Sequence, residues 1–99
     1  MLSILLPTFN GEKFLPQILK CIIDQTYKDF EVIIVDDNST DTSREILNNI
    51  KDKRFKIYFN KQNIGFPKNI RKCYENSNRD LILTLCQDDF IPNTLFESY

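Results

Sequence analysis

Four short apolar runs alternate with segments of helical periodicity along this chain, and that alternation limits its fold more than any other feature. The runs occupy residues 3–6, 31–35, 55–59 and 81–85. Pro7 closes the first, and Asp36 and Asp37 stop the second. Apolar stretches of this length are too short for helices. Three of the four lack the polar alternation of a half-wetted sheet, so they read as strands buried on both faces. The run at 55–59 alternates enough to be the remaining strand. Between the first two runs, Phe14, Leu15, Ile18, Leu19 and Ile22 recur at three- and four-residue steps, the apolar stripe of a helix. Thr42 and Glu45 have capping-box spacing, which satisfies free amides at a helix start, and Ile46, Leu47 and Ile50 follow. Pro67 suits the first turn of a third helix, where its missing N–H is harmless. The order βαβαβαβ predicts an α/β fold with an open, doubly wound, mainly parallel sheet. Right-handed crossovers then bring the carboxyl ends of all the strands to one edge.

With 99 residues and no internal repeat, linker or low-complexity segment, residues 1–99 read as one unit around one core. Hydrophobic residues make up 41%, enough for a packed interior. A net charge of -1 argues against nucleic acid as the main partner, because phosphate backbones demand concentrated Lys and Arg. The opening apolar run has no basic flank and is too short for a membrane span or a signal segment, so no transmembrane segment is expected. Cys21, Cys73 and Cys86 are widely spaced and show no CxxC pair, which argues against a disulfide framework or a thiol-only zinc site. Reduced thiols in a cytoplasmic protein are the expectation, with Cys86 a small buried hydrophobe. Histidine is absent, which excludes histidine-based acid–base and nucleophile systems. Any chemistry must come from carboxylates, a metal they hold, or Lys and Arg.

Ligands of open parallel sheets bind just beyond the carboxyl ends of the strands. Three polar clusters fall there: Thr8-Phe9-Asn10, Asp36-Asp37-Asn38-Ser39 and Gln87-Asp88-Asp89. Adjacent carboxylates repel, and burying them requires a compensating cation or donor. Asp88 and Asp89 suit a hard divalent cation that bridges to phosphates. An aspartate after the second strand is placed to accept from a base or ribose. Each feature also has a plainer reading. Asp37 can cap the helix near Thr42, Asp88-Asp89 can be a polar turn before another helix, and Phe9 can pack in the core or stack on a flat ring. Lys68 and Arg71, three residues apart on the third helix, can be a solvated pair or a phosphate clamp. The glycine-rich fingerprints of dinucleotide and P-loop sites are missing.

The ordered motifs carry a resemblance. Leu5-Leu6-Pro7-Thr8-Phe9-Asn10-Gly11-Glu12, Gln25-Thr26-Tyr27-Lys28-Asp29-Phe30-Glu31 and Ile34-Val35-Asp36-Asp37-Asn38-Ser39-Thr40-Asp41 closely resemble the opening of family 2 inverting glycosyltransferases of the GT-A fold. Asn63-Ile64-Gly65-Phe66-Pro67-Lys68-Asn69 and Leu85-Cys86-Gln87-Asp88-Asp89 look like the next motif and the metal-binding DxD region, in the version common in bacterial surface-polysaccharide transferases. The resemblance implies transfer of a sugar from a nucleoside-diphosphate donor, UDP- or dTDP-linked, to a saccharide or lipid-linked acceptor, with Mn2+ or Mg2+. It implies a location in the cytoplasm, peripheral to the inner membrane face. By position, Pro7 and Phe9 match residues packed around the base. Asp37 matches the aspartate that hydrogen-bonds the base, with Asp36 its neighbour. Lys68 falls near a basic residue facing the diphosphate. Asp88 and Asp89 match the contacts to ribose and metal, with Asp89 foremost for the metal.

Two departures accompany the match. The family often has an aspartate where Cys86 stands, and no position matches the catalytic base expected of an acceptor-binding half beyond Tyr99. Residues 1–99 are therefore expected to be the nucleotide-sugar-binding half, truncated before the acceptor half, inactive in transfer alone and prone to self-association through uncovered edges. Two alternatives stand beside this one. A receiver-like phosphoacceptor domain also pairs Val-Asp-Asp with another acidic strand end, but places the pair after its first strand. A non-catalytic oligomerising module fits the reduced acidic motif.

Overall fold

The computed structural model describes all of residues 1–99. Its elements are β1 (Leu2–Thr8), α1 (Leu15–Ile23), β2 (Phe30–Asp36), α2 (Ser43–Asn48), β3 (Phe55–Phe59), α3 (Phe66–Glu75) and β4 (Leu81–Thr84), followed by a 3-10 turn at Leu95–Ser98. The strands form one all-parallel sheet in the order β3-β2-β1-β4, as the alternation of runs and helices predicts.

Alternation along the two central strands divides the apolar side chains between two layers. Ile4, Leu6, Val32 and Ile34 pack with Leu15, Ile18 and Ile22 of α1 and Leu47 of α2 in a cluster of 15 buried residues. Leu5, Ile33 and Val35 point the other way and meet Cys73 and Ile70 of α3 in a much smaller cluster. The chain therefore winds outward through α1 and α2 on one face, then returns through α3 on the other to place β4 beside β1. The strand order reverses between β1 and β4, which opens a crevice at their carboxyl ends. No helix is long and apolar enough to cross a membrane.

Three expectations need correction. β4 is not buried: Leu81 and Thr84 are exposed and only Leu85, just past the strand, is fully covered, because β4 is the sheet's edge and has a partner on one side only. Phe14 does not join the stripe of α1; it stands before the first helical turn and is 46% exposed. The capping box at Thr42 and Glu45 does not form. Thr42 instead gives both its N–H and its hydroxyl to Glu12 Oε2, at 3.2 and 2.6 Å, while Glu12 N donates to Asp41 Oδ2. The start of α2 is thus tied to the loop after β1 as well as to Asp41, whose Oδ1 accepts from Ser43 N at 2.9 Å.

Gln25, two residues past α1, ties the end of the chain to that helix. Its side chain is fully buried; Nε2 donates to Cys21 O and, at 2.6 Å, to Pro92 O, and Oε1 accepts from Phe96 N at 2.9 Å. Thr26 N adds a bond to Asn93 O. The segment after the acidic turn is held against α1 in this way, with Phe96 edge-on to Phe30. Gln25→Ala leaves a buried N–H and carbonyl without partners and opens a void. It is expected to lower unfolding free energy by about 2–4 kcal/mol, read from urea melts. A loss below about 0.5 kcal/mol would mean that the tie contributes nothing net.

Candidate functional site

The two aspartates at the end of β2 lie one residue apart in a strand geometry, so they leave on opposite faces. Asp36, the last residue of β2, is fully buried on the α1/α2 side. Its Oδ1 accepts from Thr8 Oγ1 and Ser39 Oγ, both at 2.7 Å, and its Oδ2 accepts from Ser39 N at 2.9 Å. Ser39 Oγ in turn accepts from Asn10 N, and Asn10 Oδ1 accepts from Thr40 N. Asn10 and Asn38 both take positive φ, 47° and 60°, a conformation asparagine tolerates because its short side chain bonds locally. Asp36 thereby joins the loops after β1 and β2, and it does not line the cavity described below.

Asp37 turns toward α3. Oδ1 accepts from Asn60 Nδ2 at 3.0 Å and Ile64 N at 2.8 Å, and Oδ2 accepts from Gly65 N at 2.9 Å. It serves no cap on α2. It sits instead at the amino end of α3, where a carboxylate is favoured by the helix dipole. Asn60 also donates to Asn69 Oδ1 and accepts from Lys72 Nζ, while Asn69 Nδ2 donates to Val35 O. Gly65 sits at φ 86°, which glycine alone adopts freely and which lets both consecutive N–H groups converge on one carboxylate. Burial pushes the Asp37 carboxyl up, but the N–H of Ile64, the Asn60 amide, the N–H of Gly65 and the Lys72 charge outweigh it and hold it below its usual range. Six donors, three on each aspartate, supply all the compensation this pair needs. No buried side-chain polar atom lacks a partner. Of the two compensations open to a buried acid pair, a cation or donors, this pair uses donors.

At the crevice between β1 and β4 lies a cavity of about 320 Å³. Pro7 lines it from β1 and Phe9 from just past that strand, Asp37 from just past β2, Phe66 and Asn69 from α3, and Gln87 from the turn after β4. Phe9 is 45% and Phe66 59% exposed, so neither ring is used by the core. Asp37 is nearly buried by its partners yet borders the cavity, and Oδ2 keeps lone-pair capacity for one more donor. Cys86 also lines the cavity and is exposed, contrary to its expected place in the core, because β4 has ended and the turn carries it outward. Burial and the charges of Asp89 and Asp88 push its thiol up.

The ligating atoms of Cys86, Asp88 and Asp89 lie within 4.8 Å of one another. Asp89 Oδ2 accepts from Cys86 N at 2.8 Å, which shapes the turn. Two carboxylates and a thiol, open to solvent on one side, are a donor set that fits a divalent cation. Asp37 and the acidic turn therefore share one edge through the cavity that Cys86 and Gln87 also line. Lys68 and Arg71 are exposed on α3, and Lys68 does not reach the cavity wall. Sequence reasoning passed over Asn69, Phe66 and the individual role of Gln87. The recurrence of asparagine at 60, 63 and 69 around Gly65 was the available signal.

Because the native Asp37 carboxyl is depressed, its ionised form contributes stability that is fully present above the ordinary carboxylate pKa, about 3.9, and is lost as pH falls through the lower native value. Asp37→Asn turns part of this acceptor into a donor facing N–H groups. Unfolding free energy at pH 7 should drop by about 1–3 kcal/mol, and the decline below about pH 4 should become shallower than in the wild type, measured by urea melts across pH. An unchanged acid limb would show that the carboxylate charge does not hold the loop.

The profile described as Glycosyl transferase family 2 matches residues 3–98. An uncharacterized glycosyltransferase of Haemophilus influenzae is 42% identical over 100 residues, covering 98% of this chain and 40% of that protein. A poly(ribitol-phosphate) beta-glucosyltransferase of Bacillus spizizenii is 32% identical over 91% of this chain and 15% of its own length. The crystal structure of S. aureus TarS 1-349 in complex with UDP-GlcNAc superposes with a TM-score of 0.91 at 28% identity, covering 98% of this chain and 29% of that one. The chain thus spans well under half the length of these relatives. The receiver alternative falls, since the sheet and its motifs match transferases from end to end. Residues 3–98 place this chain in glycosyl transferase family 2, with the parallel sheet of the GT-A fold.

Proposed function

We propose that residues 1–99 are the donor-binding half of an inverting glycosyltransferase that takes its sugar from a nucleoside diphosphate and works in bacterial surface-polysaccharide synthesis. The observation that carries this is the cavity at the strand-order reversal, which has an exposed aromatic ring and an ionised carboxylate with spare acceptor capacity on its walls and is lined through Cys86 and Gln87 by the turn that carries Asp88 and Asp89. The base stacks on Phe9 beside Pro7, and Asp37 accepts an N–H from it. Asp88 and Asp89 would hold Mn2+ or Mg2+, with Asp89 foremost, and the cation would neutralise the diphosphate. The UDP-GlcNAc complex of TarS supports a UDP-linked donor, and the poly(ribitol-phosphate) relative supports a polymer acceptor.

Thermal-shift measurements with UDP and dTDP, each with and without Mn2+, test this reading. A ligand at about 100 times its dissociation constant stabilises by about 2.7 kcal/mol, which in a chain of this size raises Tm by about 10 °C or more. The rise should need Mn2+ for its full size and should shrink in Asp37→Ala and Asp89→Ala, each compared with its own ligand-free melt. No shift with any nucleoside diphosphate would refute the proposal and leave the non-catalytic module.

We also propose that the chain self-associates through the β4 edge, whose outer backbone is unpaired and where Leu81 is 44% exposed. Light scattering should give a mass above 11.7 kDa that rises with concentration. A constant monomer mass at high concentration would rule this out.

A further inference from the structure

One side chain ties the turn after β4 to the aromatic ring after β1. Phe9 N donates to Gln87 Oε1 at 3.0 Å, and Gln87 Nε2 donates to Phe9 O at 3.0 Å. An amide that pairs with both backbone groups of one residue fixes that residue as a neighbouring strand would. Gly11 makes the room: a Cβ there would stand 2.4 Å from Gln87 Oε1 and 2.7 Å from its Cδ. The bond pair is not explained by core packing, because the Phe9 ring is 45% exposed and belongs to neither buried apolar cluster. An exposed ring on an untethered loop is a poor stacking surface, since binding must then order it. Gln87 and Phe9 line the same cavity, and Gln87 stands between Cys86 and Asp88, two members of the cation-fitting cluster.

We propose that Gln87 is a positioning residue that couples the acidic turn to the Phe9 ring, so that a cation on the turn and a base on the ring favour each other. The inference rests on the nucleotide reading given above. Gln87 itself touches neither base nor cation; it acts through the Phe9 backbone. A cation held by the turn would fix Gln87, and through its two bonds Phe9 N and O, so that the ring would be set for the base. Gly11 belongs to the same device, as the empty space in which the amide lies.

The test uses the 15N-labelled chain with UDP as probe and Mg2+ as a diamagnetic cation. Gln87→Ala should raise the exchange rate of the Phe9 amide proton about tenfold, the change expected for loss of one hydrogen bond, and weaken UDP binding in Mg2+ by a similar factor. The enhancement of UDP affinity by Mg2+ should shrink as well, which a merely structural loss would not do. Gln87→Glu keeps the acceptor for Phe9 N and should keep that amide protected. Gly11→Ala, with Gln87 intact, should reproduce the Gln87→Ala effects, and the double variant should be no worse than either, because the clash needs both groups. If Gln87→Ala leaves the Phe9 exchange and the UDP affinity within about twofold of wild type, the coupling is refuted while the nucleotide reading stands. Additive losses from Gly11→Ala and Gln87→Ala would also refute it. If the wild-type chain binds no UDP, the nucleotide reading fails and the coupling with it.

Discussion

Two consecutive carboxylates that leave one strand on opposite faces organise everything at the functional edge of this molecule. Asp36 closes the loops of β1 and β2 over the α1/α2 layer. Asp37 anchors the loop before α3 on the other side. Each accepts three internal donors, so burial leaves neither carboxylate unpartnered. Because the strand period is two, a shift of one residue at this point would exchange the partners of the two acids and undo both loops. The register of β2 against β1, with Thr8 opposite Asp36, is thereby fixed by polar chemistry as well as by the apolar runs.

Much of this was legible in the sequence, for a definite reason. The apolar runs at 3–6 and 31–35 name central strands because burial on both faces calls for near-continuous apolar residues. The polar residues that begin them, Ser3 and Glu31, are buried sharing one hydrogen bond, which the Ser3 hydroxyl donates and the Glu31 carboxylate accepts. Pro67 and the stripe through Leu15, Ile18 and Ile22 name helices by geometry alone. The edge position of β4 was not legible, since Leu81, Ile82 and Leu83 are as apolar as the central runs and nothing local says how many neighbours a strand will have. The capping box misled because Thr42 found a stronger partner in Glu12, thirty residues away. Spacing rules see only what lies within one turn.

The site was legible in its location and only partly in its parts. Strand topology brings Pro7, Phe9, Asp37 and the acidic turn to one edge, as the parallel order requires. The roles within the acid pairs were not readable. Repulsion between neighbours calls for a cation or for donors at each pair without saying which; the first pair is satisfied by six hydrogen bonds, and the second is open to solvent with a thiol beside it. Amides such as Asn60, Asn69 and Gln87 carry much of the geometry. They escape notice because an uncharged polar residue in a loop announces no chemistry until its partners are known.

The unequal apolar clusters on the two faces have one more consequence. The α1/α2 layer is secured by a large hydrocarbon core, while α3 rests on a handful of apolar contacts and the chain of amides, lysine and carboxylate that runs from Lys72 through Asn60 to Asp37. Attraction between apolar surfaces fades on cooling, and the ionised chain fades in acid. The two layers therefore answer to different solvent variables, with cold loosening the inner lining of one face and protons loosening the hinge of the other.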